Sequence, residues 1–185
     1  DRQHAPRMLY YPHRKRSKAT HNSRPNLIWG VNTHLSIRID GTDHAKWTMP
    51  TPANLTKNRN LNDQCLLLQL GLIGVRIHGV ANLCFIVPPH VGAKGPDITI
   101  EILLRSLKYV PKPWPNVLYV QFDNCSGDNK NRCVFSMMKL LVHLGAFGKC
   151  KSSFLMTGHT HEDVDASFGH LAEQMKNKLF VNPEE

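Results

Sequence analysis

The order of hydrophobic periodicities along the chain constrains its fold more than any other feature. Apolar and polar residues alternate in THLSIRID, residues 33–40, and a period of two is typical of a strand. The apolar stretch 65–88 contains glycines at which it can fold back, which predicts a hairpin. From residue 98 onward, helical spacing alternates with strand-like runs. The resulting order, β-β-β-α-β-α-β-α, predicts an α/β fold with a mixed five-stranded sheet and helices on its faces.

The boundaries of the predicted helices and strands follow from the spacing of apolar residues and from the positions of Gly, Pro and Asn. We expect Asp128 to cap the second helix, and Asn124 and Asn129 to cap it or to orient ligands. The predicted elements after the first strand are a long loop at 41–63, the hairpin at 65–88, helices at 98–110, 129–147 and 161–179, and strands at 116–123 and 151–157.

The 185 residues fit one domain with a tail, and the positive charge is concentrated in that tail. The formal net charge is +9, and residues 1–29 carry seven Lys or Arg residues against one acid. We expect a disordered basic arm at 1–30 and one folded domain at 31–182. The arm contains a block that could contact phosphates or act as a nuclear address, formed by Arg14, Lys15, Arg16 and Lys18.

The cysteine count and the hydropathy of the sequence indicate the cellular compartment in which we expect the protein. The five cysteines are an odd number without a CxxC pair, which favours a reducing intracellular compartment. No run of 18 apolar residues occurs, so we expect no membrane span. The chain starts at Asp1 rather than at a methionine, which suggests a fragment of a larger protein or a processed product. The sequence leaves homo-oligomer formation open.

Two predicted strands stop at an aspartate. Asp40 ends the first strand and Asp123 ends YVQFD, the strand that follows the first helix. If the two strands are parallel neighbours, both carboxylates emerge at the edge of the sheet where binding sites of α/β folds collect. Two adjacent carboxylates repel each other unless a cation lies between them. The pair therefore predicts a hard metal ion, Mg²⁺ or Mn²⁺.

The last predicted helix offers a third acid. With about 100° of rotation per residue, Asp165 and His161 lie on one flank of the apolar face, and Asp163 lies on the other. Thr160 and Asp163 also fit a capping box, which gives Asp163 a structural role. We expect Asp165 to be the third ligand, with His161 beside it and Asp163 as the alternative.

Asp40, Asp123 and Asp165, together with the order of helices and strands, resemble the ribonuclease-H fold of DDE/DDD transposases and integrases. In that fold, acids lie at the ends of the first and fourth strands and on a late helix. The stretches IDGTDHAK, DNCSGDNKNR, LVHLGAF and FLMTGHTHEDVDASF are also similar to a family of uncharacterised domains in transposon-like eukaryotic proteins. The resemblance covers residues 33–180, and GHTHEDVD is its most specific part.

The resemblance implies that Asp40, Asp123 and Asp165 hold two divalent ions about 4 Å apart for cleavage or transfer of a DNA strand. It also implies a nuclear protein with DNA as its partner. Three further cations near the strand ends could steady phosphates: Lys46, Lys130 and Arg132.

Three alternatives stay open. A degenerate transposase domain would bind DNA or a protein without cutting. GHTH also resembles the last motif of metallophosphoesterases, whose other motifs are largely missing here. Thiolate and imidazole suit zinc, and the chain offers a fourfold ligand set in Cys125, Cys133, His159 and His161.

Overall fold

The computed structural model describes residues 12–19, 34–41, 48–49, 68–88, 90, 95–154, 168–170 and 173. Residues 168–170 and 173 are helical, and none of the described helices is long and apolar enough to cross a membrane. The other elements, in chain order, are α1 (12–19), β1 (His34–Gly41), β2 (Thr48–Met49), β3 (Leu68–Gln69), β4 (Gly71–Ile77), β5 (Ala81–Val87), α2 (Pro96–Lys108), β6 (Val117–Phe122), α3 (Arg132–His143) and β7 (Lys149–Phe154).

Five strands form one mixed sheet in the order β5-β4-β1-β6-β7. The pairs β5–β4 and β4–β1 are antiparallel, whereas β1–β6 and β6–β7 are parallel. The predicted mixed five-stranded sheet is confirmed. A separate antiparallel pair, β2 with β3, was not expected, because β2 lies within the predicted loop 41–63.

The predicted hairpin is also confirmed. β4 and β5 pair from Gly71 opposite Val87 to Ile77 opposite Ala81, and a turn at 78–80 joins them. Gly79 adopts a φ of 87°, a left-handed conformation that costs glycine no steric clash. The turn therefore depends on this glycine.

The apolar face of the sheet and two helices form the hydrophobic core. Alternation along β1 and β6 puts every second side chain on this face, where α2 and α3 cover it. Full burial of each such side chain contributes about 1.5–3 kcal/mol. The central members are Leu35, Ile37, Ile39, Leu118, Val120 and Phe122 from the strands and Ile102, Leu103, Leu107, Val134, Met138 and Leu141 from the helices.

The helix ends differ in detail from the prediction. Asn131, not Asp128, caps α3: its Oδ1 accepts a hydrogen bond from the Val134 amide at 3.1 Å. The helix is therefore shorter than the predicted 129–147. Gly145, with φ of 70°, follows the C-cap residue Leu144 and ends α3 in the left-handed conformation common at helix termini.

Helix α1 lies on the opposite, polar face of the sheet. Ser17 is fully buried there, its Oγ donates to the His78 carbonyl at 2.8 Å, and the Ser36 amide donates to that Oγ at 3.0 Å. His13 stacks on the ring of Tyr119 with centroids 4.2 Å apart. Residues 12–19 thus differ from the expected disordered arm, because two short polar side chains join this segment to the sheet.

Candidate functional site

Asp40 and Asp123 follow matched positions on neighbouring parallel strands. In the β1–β6 register, Ile39 lies opposite Phe122, and the two aspartates come directly after this pair. Neighbouring strands are about 4.8 Å apart. The two strands are parallel neighbours, which is the condition for the predicted metal site, and this pairing brings both backbones to the same edge of the sheet.

Asp40 has a cationic partner in its own strand. Arg38 lies two residues earlier and therefore on the same face, and its Nη2 is 3.0 Å from Asp40 Oδ2. Both residues are buried, Arg38 completely and Asp40 to 9% exposure. The prediction of a metal ion assumed that the Asp40 carboxylate has no other cation beside it. That premise is corrected, because the guanidinium already compensates the charge.

Asp123 is exposed and belongs to the loop between β6 and α3. Its Oδ1 accepts a hydrogen bond from the Asn124 amide at 2.5 Å, as strand-end aspartates commonly do. The carboxylate is thus positioned at the loop start, where it is accessible to solvent.

Asn129 joins this loop to α2. Its Nδ2 donates to the Asp123 carbonyl at 3.4 Å, and its Oδ1 accepts from Thr99 Oγ1 at 3.0 Å. The expected capping role of Asn129 is therefore wrong. Because both amide ends are engaged and the residue is buried, Asn129 positions the backbone that carries Asp123.

The remaining predicted ligands, Asp165, Asp163 and His161, lie outside the described residues, as does Lys46. The two strand-end carboxylates fit a hard divalent cation by donor type, since Mg²⁺ and Mn²⁺ prefer oxygen ligands. Across the described ranges, no group of three His, Cys, Asp or Glu side chains is arranged to hold a metal. The third ligand stays a prediction.

The zinc alternative also depends on residues outside the described ranges, His159 and His161. Of its two cysteines, Cys125 donates a weak hydrogen bond from Sγ to Asp128 Oδ2 at 3.4 Å, and Cys133 is an exposed free thiol in the first turn of α3. The GHTH motif of the phosphoesterase alternative lies in the same undescribed stretch.

A buried hydrogen-bonded cluster on the polar face was missed by the sequence reasoning. Tyr119 Oη donates to Gln121 Oε1 at 2.9 Å, and Ser153 Oγ donates to the same oxygen at 2.6 Å. Burial raises the pKa of Tyr119, and its hydrogen bond with Ser153 partly offsets this. The signal was present in the alternation of HLSIRID and VLYVQF, whose polar positions line up in register.

The predicted phosphate-contacting residues fall on two parts of the molecule. Lys130 is exposed in the β6–α3 loop, with Nζ 5.7 Å from the Phe154 ring centroid, and Arg132 is exposed at the start of α3. The other predicted contacts are on α1, where Lys15 and Arg16 are exposed and Arg14 and Lys18 are half-buried.

A cavity of about 460 Å³ between β5 and α2 contains none of the predicted site residues. Phe85, Val87 and Ile98 make much of its lining apolar, and Asp97 and Glu101 add carboxylates. Arg105, which also lines the cavity, already donates to Glu101 Oε1 at 2.6 Å.

Comparison with known proteins gives a family and no activity. A family model described as Domain of unknown function (DUF7869) matches residues 60–184. No curated protein and no solved structure matches the chain. The match begins after Asp40 and includes β4 to β7 together with Asp123 and the predicted third acid.

Proposed function

The chain belongs to the family described as Domain of unknown function (DUF7869), and we propose that this member cleaves or transfers DNA strands by metal-dependent phosphoryl transfer of the transposase type. The placement of Asp40 and Asp123 at the carboxyl ends of neighbouring parallel strands carries the proposal. Ligand sites in open α/β sheets lie beyond such ends. An activity on DNA and the basic residues of α1 would both favour a nuclear location.

The strand order supports a ribonuclease-H-like version of the fold. Three antiparallel strands, β1, β4 and β5, are followed by β6 and β7, which add in parallel on the other side of β1. In the resemblance described above, the first and fourth strands of the sheet end in acids. Here those strands are β1 and β6; Asp40 is the penultimate residue of β1, and Asp123 directly follows β6.

The proposed site assigns separate tasks to residues of the chain. Asp40 and Asp123, completed by Asp165, would bind two divalent ions, which supply activation of a water or 3′-hydroxyl and stabilisation of the leaving oxygen. Arg38 fixes the orientation of the Asp40 carboxylate through its 3.0 Å contact. Asn129 holds the backbone of Asp123 against α2.

The Arg38–Asp40 ion pair also favours a second candidate function. A carboxylate whose charge is balanced by a buried guanidinium is stable without metal, and a divalent ion would have to approach that guanidinium. A domain that retains the acids for structural reasons and binds DNA without cutting it has this arrangement.

Strand cleavage of labelled DNA in Mg²⁺ or Mn²⁺ tests the proposal. Asp123→Asn is the informative variant, because Asp123 is exposed and its substitution leaves the buried Arg38–Asp40 pair intact. Asp97→Asn is the matched control, since Asp97 is an exposed acid at the start of α2. We expect Asp123→Asn to abolish cleavage and Asp97→Asn to retain it.

Equal cleavage by wild type and Asp123→Asn would contradict the proposal that Asp123 is a ligand of a catalytic metal site. A wild-type protein that binds DNA and does not cut it with either metal would favour the second candidate.

A further inference from the structure

Helix α1 is held over β1 and β6, and β6 is the neighbour of the edge strand β7. His13 is buried to 5% exposure against Tyr119 and lies 5.8 Å from His34 of β1, measured between ring centroids. Tyr119 is paired in register with Lys151 of β7. The basic helix and the last strand of the sheet are therefore neighbours on the polar face.

Among the described residues, the charged groups that act on the His13 imidazole are basic. Burial is the first cause that lowers its pKa from 6.5 to about 4, and Lys151, His34 and Arg16 lower it further in that order. Lys151 and Arg16 come from different elements, yet both act on the same imidazole. Lys151 is the register neighbour of Tyr119, on which His13 stacks, and Arg16 follows His13 by three residues, about one turn of α1. The two cations therefore contribute to one positive field.

The strand extends this field along the edge of the sheet. Lys149 lies two residues before Lys151 and therefore on the same face, and it is exposed, whereas Lys151 is half-buried. Lys15 and Arg16 are exposed on α1. Such a stripe of cations on one face is the electrostatic signature of a surface that contacts a phosphate backbone.

We propose that α1 and β7 together form one cationic surface that binds the phosphate backbone of DNA, with Arg16 on the helix and Lys149 and Lys151 on the strand. The choice of DNA as the partner rests on the proposed function. The metal site proposed at Asp40 and Asp123, called the acidic site below, is not part of this surface. Ser17 and His13 are positioning residues, because they hold the helix on β1 and β6, on the face of the sheet that carries Lys151.

This surface differs from a flexible basic arm in a testable way. A flexible arm binds DNA through its charges alone, so its affinity does not depend on where the arm lies on the domain. A composite surface requires the helix to be docked, so binding should weaken when docking is lost even if every charge is kept. It should also weaken when a lysine of β7 is neutralised, since β7 is not part of the arm.

Two charge variants test the contribution of the strand. Lys149→Gln is compared with Lys139→Gln, because Lys139 is also exposed but lies on α3, across the sheet. Binding of a short labelled DNA duplex is measured between about 50 and 200 mM salt. We expect the slope of log K against log salt to fall by about 0.9 in Lys149→Gln and to stay unchanged in Lys139→Gln.

Ser17→Val tests docking without changing charge. It removes the hydrogen bonds of Ser17 to His78 and Ser36, and Ser136→Val is the control at an exposed serine of α3. Hydrogen exchange of residues 12–19 reports whether the helix has undocked. We expect Ser17→Val to lose protection in α1 and to lower the salt slope by about 0.9, the equivalent of the single phosphate contact that Arg16 makes.

The outcomes separate this surface from the acidic site. An undocked Ser17→Val protein with wild-type DNA affinity overturns the composite surface, and so does a Lys149→Gln slope equal to that of wild type. If Ser17→Val does not fold, the Lys149→Gln comparison still decides. Metal binding by Asp40 and Asp123 is measured by Mn²⁺ titration, whereas the basic surface is measured by the salt dependence of DNA binding, so the failure of one is distinct from the failure of the other.

Discussion

The two faces of the central sheet are built from the same strands but are stabilised in different ways. On the face toward α2 and α3, residues such as Ile37 and Val120 gain stability from the area they bury. On the other face, Arg38, Tyr119 and Gln121 are equally buried and rely on directional partners. The polar face is therefore the more sensitive to loss of a single partner, because an unsatisfied buried group costs more than a lost contact.

The largest expected effect is at the buried ion pair. Arg38→Met removes the guanidinium that lies 3.0 Å from the buried Asp40 carboxylate, which should destabilise the fold by roughly 3–5 kcal/mol. Ile39→Val on the apolar face should cost about 0.5–1.5 kcal/mol. Urea unfolding measures both.

The double variant Arg38→Met/Asp40→Leu is the control for the ion pair. Because it removes both charges, it should be less destabilised than Arg38→Met alone. A cost below about 1 kcal/mol for Arg38→Met would mean that the polar face tolerates loss of a partner as well as the apolar face does.

Acid should loosen the contact between α1 and the polar face. The pKa of His13 is lowered to about 4 from 6.5, so docking is complete above pH 6.5 and weakens as pH falls from 6.5 toward 4. The groups that face the imidazole are Tyr119, Lys151, His34 and Arg16, and none of them offsets its positive charge.

Hydrogen exchange of residues 12–19 across this pH range tests the prediction. His13→Phe retains an aromatic ring against Tyr119 and cannot be protonated, so its protection should not change between pH 6.5 and 4. The same loss of protection in wild type and His13→Phe would contradict the assignment.

The smallest expected effect is a difference in stability between two serine variants that lie on opposite faces of β7. Ser153 donates to Gln121 on the polar face, whereas Ser152, opposite Val120 in register, is on the apolar face. Ser153→Ala should cost about 1 kcal/mol, and Ser152→Ala should change stability by less than about 0.5 kcal/mol. Thermal unfolding resolves the difference, and equal effects would show that the hydrogen-bonded cluster adds no stability.

The apolar face could be predicted from the sequence because the side chains that bury apolar area recur at every second position of a strand. Leu35, Ile37 and Ile39 alternate clearly, and the apolar run VLYVQF likewise predicted a strand. The structure pairs the two strands in parallel. The polar face could not be predicted in this way. Alternation shows that Arg38 and Asp40 share a face, but it does not show that they are buried or bonded to each other.

The docking of α1 was missed for a related reason. Apolar spacing is the usual signal for a packed helix, whereas α1 turns His13 and Ser17 toward the sheet. The cap of α3 was missed because Asp128, Asn129 and Asn131 all suit a capping position, and only the backbone geometry selects Asn131.

Titration of Mn²⁺ by calorimetry tests the central claim, that the carboxyl ends of β1 and β6 form a metal site. The proteins are the wild type, Asp40→Asn, Asp123→Asn and the control Asp97→Asn, each with and without a short DNA duplex. The account predicts binding by the wild type and the control, and loss of binding in both strand-end variants. Wild-type binding that persists in Asp40→Asn and Asp123→Asn, or a folded wild type that binds no Mn²⁺ in either condition, would contradict it.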